Sequence, residues 1–269
     1  MEETPLTNFN NEITDTDKIK DAVFFSVIFL AIIWAIFLMD DVLGYHLKSH
    51  GLRPRSVEGL KGIFTIHFLH GDLKHIAQNS LAFLVLNSFL FYFYRPIALK
   101  VFLFLFFLPG MVLWLWARPD NHIGASMLIF GEAAFLFTSG IIRKDGRMMR
   151  VSLVVALYYG SLIWYVFPID PTISWEGHLS GLLTGVVLAL WLRNQGPQRI
   201  PFQWELEPDE DELVADVPSD EQAVPVGSQD STAHANRVVV HYEYVEKKPD
   251  TAKKPLSGSD SEKTERVEP

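Results

Sequence analysis

The chain has 269 residues, 49% of them hydrophobic, including 20 Phe and 7 Trp, and carries a formal net charge of −9. Residues 1–194 balance 15 acidic against 15 basic side chains, so the excess negative charge belongs to positions 195–269. The absence of cysteine excludes disulfides, thiol catalysis and thiolate metal sites, and an acidic total gives no electrostatic reason to expect a nucleic-acid partner.

Residues 1–20 are polar and acidic, lack the basic start of a secretory signal, and read as a flexible N-terminal arm. Ala22 to Met39 is apolar except for Ser26, and its 18 residues, at ~1.5 Å each, nearly cover a hydrocarbon core of ~30 Å. Residues 40–69 mix Gly, Pro and Asp with apolar side chains and read as a long loop at the membrane interface. A second span, His70 to Tyr94, is polar at its start. A third, Ile97 to Trp116, contains a kink at Pro109-Gly110. Gly124 to Ile142, Val151 to Phe167 and Ser174 to Leu192 complete six spans.

An even number of spans returns both termini to one side. Arg143, Lys144, Arg147 and Arg150 crowd the turn between spans four and five, which marks that side as cytoplasmic. The expected fold is an all-α membrane protein: six transmembrane helices over residues 21–193 in the cell membrane, followed by an acidic, disordered cytoplasmic tail over 194–269.

Spans two, four and six enter the bilayer from the same side, and the unusual polar residues sit near those entrances: His75 and Asn79, then Ser126, then His178. A serine alone in a membrane helix is usually a packing or back-bonding residue. A lone intramembrane histidine is as often a contact between helices. Their shared depth points instead to one site. His75 and Asn79 are four apart and share a helical face, as do Ser126 and Phe130. His178, Gly181 and Gly185 line one face of span six, where the glycines allow close backbone approach. Such an arrangement suits acyl transfer: His178 as general base, Ser126 as nucleophile, and the Ser126 N–H with His75 and Asn79 as oxyanion donors. No carboxylate is placed to orient the histidine, so a dyad is expected. No cofactor or metal is called for, since no HExxH or comparable spacing is present.

These stretches resemble the rhomboid intramembrane serine proteases. His70-Gly71-Asp72-Leu73-Lys74-His75-Ile76-Ala77-Gln78-Asn79 is similar to the family's second-span motif, Gly124-Ala125-Ser126 to its nucleophile motif, and His178 with Gly181 and Gly185 to its base-bearing helix. The resemblance covers about residues 20–193. It implies a rhomboid-like six-helix bundle that cleaves peptide bonds in or beside transmembrane segments of membrane-protein substrates within the lipid bilayer. It also implies that Phe130 stacks on His178 and that His70 helps hold the first loop. Two departures stand out. Met127 occupies a position where many relatives have glycine, which predicts a narrower substrate pocket or a shifted backbone. Arg53-Pro54-Arg55 stands where some members carry a Trp-Arg pair.

Glu132 is six residues from Ser126 and is expected to hydrogen bond a neighbouring helix, while Glu176 is expected to meet water at the surface. His46, His50, His67 and His122 read as structural loop residues. Two other classes compete with the protease. Met127 favours a catalytically silent rhomboid-like binder of transmembrane clients. A transporter would call for polar residues through the full bilayer depth or an internal repeat, whereas spans one, three and five offer little beyond isolated hydroxyls and Lys100 near an end.

Overall fold

The computed structural model describes residues 14–199 and 201; the start of the expected N-terminal arm and almost all of the expected acidic tail lie outside them. The first helix, α1, spans Asp15–Asp41. The Thr14 hydroxyl opens it, accepting the Asp17 N–H at 3.2 Å and donating to the Asp17 carboxylate at 2.7 Å. Residues 15–20, expected in the arm, therefore form the first turns of this helix. Hydropathy locates the apolar stretch, but the cap lies two turns upstream of it.

The first loop is built from short 3-10 turns at Leu47–His50, Glu58–Lys61 and Ile66–Phe68, with a single α-turn, α2, at Gly62–Thr65. Leu52, Ile66 and His67 are buried beneath it. Burial pushes the His67 imidazole down to about 4. The ring is therefore neutral, and its Nε2–H donates to the Phe106 carbonyl at 2.8 Å. That carbonyl lies within a turn of Pro109, whose missing N–H loosens the ladder of the helix Ala98–Trp116.

The remaining helices are α3 (Leu73–Phe93), α4 (Ala98–Trp116), α5 (Ser126–Arg143), α6 (Gly146–Tyr159) and α7 (Trp175–Trp191). Asp145 caps α6 by accepting the N–H groups of Arg147 and Met148, so the fifth span starts five residues before the expected Val151. Its far end, Gly160–Val166, is a 3-10 helix. Among the described residues five segments are long and apolar enough to cross a membrane: α1, α3, α4, α5 and α6 with its 3-10 continuation. The sixth expected span is α7, shorter at 17 residues. The protein is an integral, multi-pass membrane protein, and its outward faces are greasy, with Leu153 at 68% and Leu157 at 76% exposure.

Helix α5 is the centre of the bundle and packs on α7, α6, α3 and α4. Its most extensive contact is with α7. A Cβ built on Gly181 would lie 2.1 Å from the Met127 carbonyl oxygen, and one on Gly185 would lie 2.2 Å from the Gly131 carbonyl oxygen. Neither space admits a side chain, so the two backbones touch. At the opposite end of α5, Arg143 is buried and donates to the carbonyls of Leu192, Gln195 and Pro197 at 2.9, 2.7 and 2.6 Å. It closes the C-terminus of α7, a structural duty that its place in a basic turn does not reveal.

Adding a methyl at the α5–α7 contact is therefore expected to force the helices apart. Gly185→Ala should lower the thermal unfolding temperature in detergent micelles, in line with an overpacking cost of about 1–3 kcal/mol. Gly146→Ala, whose Cβ meets nothing within 4 Å, should be neutral or slightly stabilising.

Candidate active site

Two helix starts and one loop bring the predicted residues together. Ser126 is the first residue of α5, and His178 lies in the first turn of α7. The close approach at Gly181 and Gly185 lays the two helices side by side, and the Ser126 hydroxyl lies 2.9 Å from His178 Nε2. On the other side of the ring, His178 Nδ1 is 2.9 Å from the Tyr165 carbonyl oxygen. A carbonyl can only accept, so Nδ1 carries the proton and Nε2 is left to accept the serine hydroxyl. Tyr165 thus orients the ring through its backbone carbonyl. Sequence reading missed it because any residue type supplies a carbonyl. Phe130 holds the ring flat, with centroids 4.2 Å apart and planes 3° from parallel.

His75 and Asn79 arrive from α3. Asp72 caps that helix by accepting the His75 N–H at 2.9 Å, which fixes the first turn. The two side chains converge on the backbone just ahead of Ser126: a Cβ on Gly124 would lie 2.8 Å from His75 Nε2 and 3.7 Å from Asn79 Nδ2. Gly124 has φ +120°, a conformation that, together with the adjacent imidazole, requires glycine. The N–H groups of Ser126 and Met127 head α5, ahead of the first helical bonds from Leu128 and Ile129 to the Ala125 carbonyl. The result is a polar pocket end with an alcohol, an imidazole acceptor and several N–H donors.

His70 sits behind this group. Burial first, and the neighbouring His75 second, push its imidazole down to about 3, and its neutral Nε2 accepts an Asn79 amide N–H at 3.0 Å. One amide hydrogen of Asn79 is thereby anchored and the other remains available. In this way His70 ties the first loop to α3.

Three expectations are corrected. Met127 does not narrow the site: its side chain is buried at 2% exposure in a separate apolar cluster with Leu52, Ile66, Leu113 and Ala117, and α5 is regular from Ser126 onward. One residue along a helix turns a side chain by about 100°, away from the serine. Glu132 does not bond a neighbouring helix: it is fully buried, and among the described residues neither carboxyl oxygen has a hydrogen-bond partner. Glu176 does not meet water: at 2% exposure it faces Arg118 Nε at 3.6 Å.

His122 is more than a loop residue. It exchanges two backbone hydrogen bonds of 2.9 Å with Leu52. Burial lowers its imidazole from the ordinary value, so the neutral ring accepts the Ser174 hydroxyl at Nδ1 (2.6 Å) and donates from Nε2 to the Arg118 carbonyl (3.2 Å). Ser174, at the N-cap of α7, therefore spends its hydroxyl on His122 rather than on its own helix.

The family model described as Rhomboid domain matches residues 58–195. Uncharacterized proteins of Mycobacterium tuberculosis and Mycobacterium bovis are each 33% identical to this chain over 184 residues, spanning 64% of it and 74% of their own length. One from Mycobacterium leprae is 29% identical over 180 residues, spanning 64% and 70%.

The placement of Met127 makes a stability prediction. Met127→Ala should destabilise the folded protein by about 2 kcal/mol or more through the cavity left under the first loop, read as a drop in the thermal midpoint in micelles.

Proposed function

The chain belongs to the rhomboid family, and from that premise we propose that it is an active intramembrane serine endopeptidase using Ser126 and His178. The observation that carries this reading is the 2.9 Å contact between the Ser126 hydroxyl and His178 Nε2, with the opposite ring nitrogen committed to the Tyr165 carbonyl. The substrate is a peptide bond in or near a transmembrane segment of another membrane protein. The protein lies in the cell membrane with both termini in the cytoplasm, so the site opens toward the outer leaflet.

In the first step His178 Nε2 takes the Ser126 proton as the oxygen attacks the scissile carbonyl carbon. The oxyanion is met by the Ser126 N–H, the free Asn79 amide hydrogen and His75. His178 then returns the proton to the leaving amine, and the acyl group stays on Ser126. Water, activated by the same nitrogen, hydrolyses the ester and frees the enzyme. Tyr165 keeps the imidazole in the required tautomer throughout, and Phe130 keeps it in plane. The client-binding alternative rested on Met127, which is buried away from the reacting pair.

Cleavage of single-span substrates in proteoliposomes tests the reading. Ser126→Ala and His178→Ala should each reduce turnover by at least ~10³-fold, and the double variant should be no worse than the singles because the two act as a unit. Asn79→Ala should lose about 10²-fold in kcat. Cleavage that survives Ser126→Ala, or none by the unmodified protein on any such substrate, would contradict the proposal.

A further inference from the structure

The two reacting residues lie on different helices, yet a single stretch of chain holds both. Residues 117–125 connect α4 to α5 and end directly at Ser126. Within that stretch Arg118 Nη2 donates to the Ile173 carbonyl at 2.8 Å, and Arg118 Nε faces the buried Glu176 carboxylate at 3.6 Å. His122, four residues before Ser126, takes the Ser174 hydroxyl and is braced on the Arg118 carbonyl. Just upstream, Trp116 Nε1 donates to Ser180 Oγ at 3.2 Å, and its ring meets Trp175 edge-on at 5.5 Å. These partners fall within residues 173–180, the segment that carries His178. The glycine contacts set how closely α5 and α7 approach lower down; they do not fix how far the first turn of α7 leans toward Ser126.

We infer that Arg118 and His122, through Glu176, Ile173 and Ser174, form a clasp that positions the first turn of α7 so that His178 meets Ser126. None of these side chains touches the reacting pair, so they are positioning residues, and the inference rests on the protease reading above. Glu176 is buried beside the base-bearing turn because its partner is there. The guanidinium donates to the Ile173 carbonyl from Nη2 while its Nε lies 3.6 Å from the Glu176 carboxylate and 3.7 Å from that of Asp120, an arrangement a lysine ammonium reproduces with poorer geometry. A hydrogen-bonded pair that has drifted by about 1 Å is expected to lose on the order of 10²-fold in rate.

The test uses the full chain in proteoliposomes, with kcat and KM measured per folded molecule on a single-span substrate. Arg118→Met and Glu176→Gln should each lower kcat by about 10- to 100-fold, with KM within about twofold. Their double variant should be no worse than the poorer single, and Arg118→Lys should recover part of the loss. If Arg118→Met does not fold, Glu176→Gln, which keeps its shape, and Ser174→Ala, which removes only the bond to His122, carry the same expectation for kcat. Variants whose kcat stays within twofold of a Ser126-dependent activity overturn the clasp and leave the protease reading intact. A rise in KM alone also overturns it, since that marks a substrate contact. An unmodified protein that does not cleave overturns both.

Discussion

Two carbonyl oxygens of α5, those of Met127 and Gly131, face bare Cα positions of α7 at Gly181 and Gly185, leaving no room for a methyl between the helices. In a bilayer the lipid tails are as apolar as the side chains, so helices gain little from burying grease and associate by close packing and hydrogen bonds. The α5–α7 contact follows that rule. It brings two polar helix starts side by side, because Ser126 sits at the head of one helix and His178 one turn into the other. Arg143 closes the same pair from the opposite end by taking up the terminal carbonyls of α7.

The polar groups around this contact are sorted by what they meet. His178 has a carbonyl on one nitrogen and a hydroxyl on the other. Asn79 divides its amide between His70 and the space before Ser126. His67 and His122 are neutral rings used as struts between the loops and the helices. Glu132 is the exception, a buried carboxyl with no partner among the described residues.

Much of this was legible in the residues. Hydropathy put each expected span on a helix, although the first begins seven and the fifth five residues earlier than expected, and only five of them are long and apolar enough to cross a membrane among the described residues. Helical periodicity put His75 with Asn79, and Ser126 with Phe130. The glycines of α7 announced close packing. What stayed hidden depended on groups that carry no residue signature or on direction around a helix axis. The Tyr165 carbonyl is one, the diverted Ser174 hydroxyl another. Met127 misled because a chain position next to the serine is not a spatial position next to it. Glu176 misled because its burial depends on Arg118, more than fifty residues away in sequence. The start of α1 was missed because a Thr14 cap extends a helix beyond its apolar stretch.

The proposed chemistry requires that helix packing let His178 take the proton of Ser126 and so make that serine a nucleophile. Peptide mapping by mass spectrometry after treatment with a fluorophosphonate addresses it most directly. The account predicts a single covalent adduct on the peptide containing Ser126, absent from the His178→Ala protein. An adduct on another residue, or equal labelling of Ser126 without the imidazole, would contradict it.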